Sequence, residues 1–93
     1  MKVFIVTQKC IDYDEHQLPT NQQEYLIDVF RDDKEALEAT CERLHFTIRR
    51  AKYKSIIDHS TWDQWVIHDL CSDKADSGYY RSVYIKITTV EIN

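Results

Sequence analysis

The sequence predicts an α+β fold, in which an antiparallel sheet of about four strands packs on one long helix in the order β-β-α-β-β. Segments rich in β-branched and aromatic residues lie toward both ends of the chain, as in strands. A single stretch between them has apolar residues at helical spacing. The 93 residues, 43% of them hydrophobic and 30% charged, indicate one folded domain over residues 1–93.

The first hairpin is predicted from two strands at residues 2–8 and 24–30, which are rich in branched apolar and aromatic side chains. Residues 9–23 are polar and contain the only proline, Pro19. We therefore expect these residues to form a long, acidic connection between the two strands.

The helix is predicted to begin at Asp32, because Asp32 and Glu35 have the spacing of a capping box. After it, apolar residues alternate at spacings of four and three, which places them on one stripe facing the core. No Gly or Pro interrupts the segment, so we expect the helix to extend to about Ile57. The stripe consists of Leu37, Cys41, Leu44, Ile48 and Ala51.

The second hairpin is predicted from the last third of the chain. Residues 60–70 fit both helical and strand periodicity, and we favour a strand from about 64 to 70. Residues 72–78 contain the only glycine, Gly78, and predict a turn. Residues 79–92 then form a long final strand.

The predicted strands are apolar on both faces, whereas one helix covers only one face. Leu26 and Phe30 are expected on the face opposite Ile27 and Val29. The uncovered face must pack against the 9–23 connection, a second helix near Trp62, a twin subunit or a foreign partner. Uncovered apolar surface of this kind usually marks an interaction site.

Charge is distributed unevenly along the chain. The net charge of −4 and the pI of about 5.5 argue against a dedicated nucleic-acid-binding domain. Residues 12–42 contain ten acids and two Lys or Arg residues, a local charge of −8. Residues 43–54 contain five bases and no acid.

These two segments supply the candidate binding residues. The acidic segment and its tyrosines predict a surface that offers carboxylates to a partner protein, as a mimic of nucleic-acid charge would. This partner-binding set is Asp12, Tyr13, Asp14, Glu15, Glu24, Tyr25 and Asp28. The basic segment is a candidate anion or nucleic-acid contact, or else a solvated helix end. Its members are Arg43, Arg49, Arg50, Lys52 and Lys54.

Candidate catalytic and metal-binding groups lack supporting context. Cys41 and His45 have a ligand-like spacing of four but no further Cys or His beside them. Cys10 lies near several acids and His16, without the glycine of a calcium loop. The His–Asp neighbours at residues 58–59 and 68–69 are candidate acid–base pairs. We predict no enzyme activity, no metal and no cofactor.

The predicted location is the cytoplasm. The three cysteines are odd in number and widely separated, which disfavours a disulfide framework. The first residues are typical of a strand, not of a secretory signal, and no apolar run is long enough for a membrane span.

Three segments resemble small phage and mobile-element proteins of unknown function. They are residues 1–7 (MKVFIVT), 27–36 (IDVFRDDKEA) and 84–93 (YIKITTVEIN). The resemblance implies no functional residues, because none of the segments is a catalytic motif. In size and acidity the chain also resembles inhibitors of bacterial defence, including anti-CRISPR proteins, which would place it in the cytoplasm of a host cell.

Three hypotheses follow. The leading one is a non-enzymatic protein of phage type that inhibits a host protein, such as a nucleic-acid-handling defence effector. The second is a small nucleic-acid-binding or regulatory protein that uses the basic segment. The third is a minor enzyme using Cys10 or a His–Asp pair. We also predict a homodimer, which would bury the uncovered sheet face.

Overall fold

A computed structural model describes residues 1–72, 74 and 77–93. The elements are β1 (Lys2–Tyr13), β2 (Pro19–Phe30), α1 (Asp33–Arg50), β3 (Ser55–Ser60), β4 (Gln64–Leu70) and β5 (Tyr79–Glu91). The strands form one antiparallel sheet in the order β2-β1-β5-β4-β3, and the helix packs across β2, β1 and β5. The α+β class is confirmed, but among these residues the sheet has five strands instead of about four.

The first hairpin is longer than predicted. β1 and β2 pair from Phe4 opposite Phe30 to Tyr13 opposite Pro19, so most of the predicted 9–23 connection is strand. Only residues 14–18 form the turn, where the Asp14 carboxylate accepts the N–H groups of residues 16 and 18 at 2.8 and 3.0 Å. The prediction was wrong because an edge strand needs backbone pairing on one side only and tolerates polar side chains.

A bulge changes which face the side chains of β2 occupy. Val6 pairs with Asp28 and Thr7 pairs with Leu26, which leaves Ile27 as the extra residue. Leu26 therefore points away from the helix, while Ile27 packs against the core cluster beneath it. The predicted strict alternation along this strand was wrong for that reason.

The start of α1 is confirmed, whereas its predicted buried face is wrong. The Asp32 carboxylate accepts the N–H of Lys34 at 3.1 Å as the N-cap. Ala36, Thr40 and Thr47 are buried against the sheet, and Leu44 is only half-buried. Small side chains let the helix approach the strands closely, so the predicted stripe is rotated toward solvent. Its members Leu37, Cys41 and Ile48 are exposed.

The helix ends at Arg50, not near Ile57. The following residues turn, and β3 pairs with β4, placing Ile57 opposite Ile67. The β-branched pair at residues 56–57 joins the sheet because strand pairing offers it neighbours that an exposed helix end does not. The predicted long helix was therefore too long.

The two predicted strands of the second hairpin are confirmed, while the predicted turn at residues 72–78 lies partly outside the described residues. β4 spans the predicted residues, and β5 ends at Glu91. Gly78 precedes β5 with a φ of +87°, and a Cβ there would lie 2.9 Å from the Gln17 side chain, so glycine is required. The core cluster beneath the helix consists of Val6, Ala36, Trp65, Val83, Ile85 and Ile87.

The sheet face opposite α1 carries an apolar patch at the end that holds both termini. By strand register its members are Val3, Ile5, Leu26, Val29 and Val90. The 9–23 segment is hairpin, and Trp62 lies in a turn before β4, so neither covers this face as predicted. Among the described residues, no helix has the length and apolarity needed to cross a membrane.

Candidate functional site

A groove of about 730 Å³ lies between α1 and the edge strand β2. β2 has a strand neighbour only on its β1 side, so one row of its backbone N–H and C=O groups faces outward. The bulge in β2 turns Ile27 toward this groove. The lining residues are Ile27, Asp28, Phe30, Glu35, Glu38, Ala39, Glu42, Arg43, His45, Phe46 and Arg49.

The groove is polarised in charge. The N-terminal part of α1 contributes Glu35, Glu38 and Glu42, and β2 adds Asp28. Toward its C-terminal end, α1 contributes two guanidinium groups. Four carboxylates therefore face two arginines, and the groove carries an excess of negative charge.

The floor of the groove is apolar and partly aromatic. Phe30 and Ile27 come from β2, and Phe46 comes from α1. Phe46 is 38% exposed and stacks with two guanidinium groups, those of Arg43 at 4.9 Å and Arg50 at 5.2 Å from the ring centroid. Exposed apolar surface bordered by charge is typical of a binding site.

A polar network closes the inner wall of the groove at Arg43. The Arg43 Nε donates to Gln8 Oε1 at 3.0 Å, and its Nη2 donates to the Tyr25 hydroxyl at 3.3 Å. Gln8 Nε2 also donates to the Tyr25 hydroxyl at 2.9 Å. Burial, followed by the neighbouring Cys10, raises the pKa of Tyr25, and Arg43 opposes this shift more weakly.

The structure does not gather the predicted partner-binding residues on one surface. Asp28 lines the groove, whereas Asp14 and Glu15 lie in the turn at the far end of the hairpin. Val6, the partner of Asp28, and Tyr13 are seven residues apart along β1, which is about 23 Å in a strand.

The other members of that set have separate environments. Asp12 pairs with Arg81 at 3.0 Å. Glu24 is exposed opposite Lys9, on the sheet face away from the helix. Tyr13 lies beside Tyr84, whose pKa is raised first by burial and then by Tyr13.

The predicted basic residues also lie on separate surfaces. Arg43 and Arg49 line the groove, and Arg50 stacks on Phe46. Lys52 and Lys54 follow the end of α1 and are exposed, and the Lys52 Nζ lies 5.4 Å from the Tyr53 ring centroid.

Several groove residues were not selected from the sequence. Glu35 was interpreted as part of a capping box, and Glu38, Glu42 and Phe46 only as parts of charged or mixed segments. Their spacings of three and four place them on one helix face, which is a signal the sequence does contain. What the sequence did not indicate is that β2 lies beside this face.

A second polar cluster joins Asp58, His68 and Ser82 on the face away from α1. His68 Nδ1 lies 2.6 Å from Ser82 Oγ, and its Nε2 lies 3.0 Å from Asp58 Oδ2. Because a carboxylate only accepts, Nε2 carries a proton, and Tyr79 stacks on the ring at 4.2 Å. Ser82 is fully buried and Asp58 is exposed. A catalytic triad needs the opposite arrangement, in which the serine is accessible to substrate and the carboxylate is buried.

Of the four candidate acid–base residues, the structure pairs His68 with Asp58 and not with its sequence neighbour Asp69. His68 bonds Asp58, whereas Asp69 points to the opposite face and accepts from Ser55 Oγ at 2.6 Å. Burial raises the pKa of Asp69, against weaker opposing effects of Ser55 and Arg81.

Cys41 and His45, which have ligand-like spacing in the sequence, both lie on α1. Cys41 is exposed, and His45 lines the groove one helical turn later. Across residues 1–72, 74 and 77–93, no group of three or more His, Cys, Asp or Glu side chains could hold a metal ion.

No family model, curated protein or solved structure matches this chain. The resemblance to phage proteins and the anti-defence role therefore stay predictions. Inference about function has to begin from the chemistry of the groove.

Proposed function

We propose that this chain is a non-enzymatic protein-binding protein that accepts an extended, basic segment of a partner in the groove between β2 and α1. The observation that supports this function best is the combination of an open strand edge with a surplus of carboxylates beside it. The two features match the two properties of an extended basic segment, its unpaired backbone and its positive side chains.

The backbone of the segment pairs with the outer edge of β2. Such strand addition supplies main-chain hydrogen bonds, and alternate side chains then point into the groove. Ile27, Phe30 and Phe46 offer apolar contacts to those side chains. β2 is 12 residues long, which allows a partner strand of considerable length to pair.

Charge selects which segments bind. Glu38 and Glu42 lie one helical turn apart on the wall of the groove and can each receive a Lys or Arg from the partner. A host segment held in this way is withheld from its own nucleic-acid or protein partner. Occlusion of that kind is how a small acidic protein of phage type inhibits a larger effector.

The test uses a peptide of about six residues, enough to pair with residues 25–30 of β2, that alternates Val and Lys, together with a counterpart in which Glu replaces Lys. Titration calorimetry should detect binding of the Lys peptide and none of the Glu peptide. The double variant Glu38→Lys, Glu42→Lys should weaken binding of the Lys peptide about tenfold or more, because attraction becomes repulsion.

The matched control is Glu15→Lys, which reverses an exposed charge at the far end of the hairpin. It should leave the affinity within about twofold, since the charge lies beyond a Debye length from the groove. Equal losses from Glu15→Lys and from the groove variant, or equal binding of the two peptides, would contradict the groove as the binding site.

Homodimer formation and nucleic-acid binding through the basic segment stay predictions. The apolar patch around Leu26 and Val29 is the surface that a second copy would cover. Sedimentation that detects only an 11.1 kDa species at high concentration would contradict the dimer.

A further inference from the structure

A small cavity of about 80 Å³ lies beneath the C-terminal half of α1, on the inner side of the network at Arg43. It shares Arg43 and Phe46 with the groove but is otherwise lined by different residues, from α1, β1, β2 and β5. The lining residues are Gln8, Cys10, Tyr25, Arg43, Phe46, Thr47, Arg50, Arg81 and Val83.

Three guanidinium groups converge on this cavity, those of Arg43, Arg50 and Arg81. Arg81 is neutralised by Asp12, with an Nε to Oδ1 distance of 3.0 Å. Among the described residues, neither Arg43 nor Arg50 forms an ion pair with a carboxylate. The cavity therefore contains two guanidinium groups that form no direct ion pair within the described part of the chain.

Arg43 is held in place by contacts with neutral groups, whereas Arg50 is exposed and lies 5.2 Å from the Phe46 ring centroid. Gln8 is 3% exposed, and its Oε1 accepts from Arg43 Nε at 3.0 Å. The Phe46 ring stacks with Arg43 on one side and with Arg50 nearby. A planar guanidinium held in this manner loses little freedom when it binds an anion.

The Tyr25 hydroxyl adds a neutral donor. It accepts from both Gln8 Nε2 and Arg43 Nη2, at 2.9 and 3.3 Å, so its own proton is directed elsewhere. The nearest alternative acceptor in the cavity is Cys10 Sγ at 4.0 Å, a distance at which the bond is weak. The raised pKa of Tyr25, caused chiefly by burial, keeps the phenol protonated at neutral pH.

We propose that this cavity binds a phosphate-sized oxyanion, with Arg43, Arg50 and Tyr25 as its donors. The volume exceeds the roughly 30 Å³ that one water takes up in the liquid, and suits a single tetrahedral phosphate group better than a whole nucleotide. Arginine forks match phosphate oxygens in geometry and charge. The site is independent of the proposed peptide groove and goes beyond it.

The experiment is an NMR titration of the isotope-labelled protein with sodium phosphate, with sodium chloride at equal ionic strength as the reference. The signals of the Arg43 and Arg50 Nε–H groups should shift and saturate with phosphate and not with chloride. Equal shifts with both salts would mean screening alone and would overturn the site.

Two variants identify the donors. Arg50→Ala removes an exposed cation from the cavity, and Tyr25→Phe removes one donor while keeping the ring. Each should weaken phosphate binding about tenfold. Arg49→Ala is the matched control, because Arg49 faces the groove and not the cavity. An equal loss in Arg49→Ala would contradict the site.

A second titration separates the two sources of the phosphate group. Tighter binding of O-phosphoserine than of inorganic phosphate would identify a phosphate ester on a larger ligand, and weaker binding would identify the free anion. Both results support the site, while failure of both ligands to bind overturns it. Peptide binding in the groove can succeed or fail separately, because its test variants, Glu38→Lys and Glu42→Lys, lie outside this cavity.

Discussion

β2 pairs with β1 and β4 pairs with β5, yet the two strands differ completely in burial. Six of the seven residues of β4 are buried, whereas none of the twelve residues of β2 is. β4 has strand neighbours on both sides, while β2 is an edge strand. Position in the sheet, more than composition, therefore decides which strand forms core and which offers a surface.

The difference separates stability from recognition. The β4–β5 half contains most of the fully buried large side chains, including Ile67, Leu70, Val83 and Ile85. The β2 half contains the open edge, the groove and the polar network around Tyr25. Changes in the first half should lower the free energy of unfolding, and changes in the second half should alter binding with little effect on folding.

The largest expected effect is on the core side. Ile67→Ala should lower the free energy of unfolding by about 2–5 kcal/mol, since Ile67 is fully buried and its loss leaves a cavity. Leu26→Ala on β2 removes a side chain that is 58% exposed and should change stability by only about 0.5 kcal/mol. Urea denaturation of both variants measures the contrast, and similar losses would remove the distinction between the two strands.

Substitutions in the polar clusters should show the same contrast between the two halves, with smaller losses in the free energy of unfolding. Ser82→Ala removes the partner of His68 Nδ1 in a buried site and should cost about 1–3 kcal/mol. Tyr25→Phe removes a hydroxyl in a half-open site and should cost about 0.5–1.5 kcal/mol. The two free energies of unfolding, measured by urea denaturation, test whether burial sets the cost; a larger loss in Tyr25→Phe would contradict it.

The smallest expected effect is a pH dependence from Asp69 on β4. Burial raises its pKa, so the folded state binds more protons than the unfolded state, and stability falls as pH rises through the folded pKa. The Asp69→Asn variant lacks this carboxyl and therefore lacks its pH dependence. The free energy of unfolding of the variant, relative to that of the natural protein, should increase from pH 3 to pH 7, a range that begins near the pKa of about 3.9 that Asp has in an unfolded chain.

The matched variant for this measurement is Ser55→Ala. The Ser55 hydroxyl donates to Asp69 at 2.6 Å and lowers its pKa, so removing it should steepen the loss of stability with pH. Urea denaturation at several pH values gives both slopes. A constant difference between Asp69→Asn and the natural protein would show that burial of this carboxyl has no thermodynamic consequence.

Elements with strong local signals were predictable from the sequence. The cap at Asp32 is a local hydrogen bond, and β5 follows from a run of branched and aromatic residues. Residues 60–70 fitted both helical and strand periodicity, and pairing with β3 and β5 makes residues 64–70 a strand. β3 was missed because its two isoleucines follow a helical segment without any breaker, and only pairing with β4 makes them a strand. Of the groove, the sequence indicated Asp28, Arg43 and Arg49 but not that they lie together.

By itself, the sequence determined the α+β class, the charge asymmetry and the helix cap at Asp32, because each depends on composition or on neighbours a few positions away. Only the tertiary structure decided the buried face of α1, the bulge at Ile27 and the groove. These depend on how closely the helix approaches the sheet and on which strand lies at its edge. Both are set by packing between residues far apart in the chain, which local periodicity does not encode.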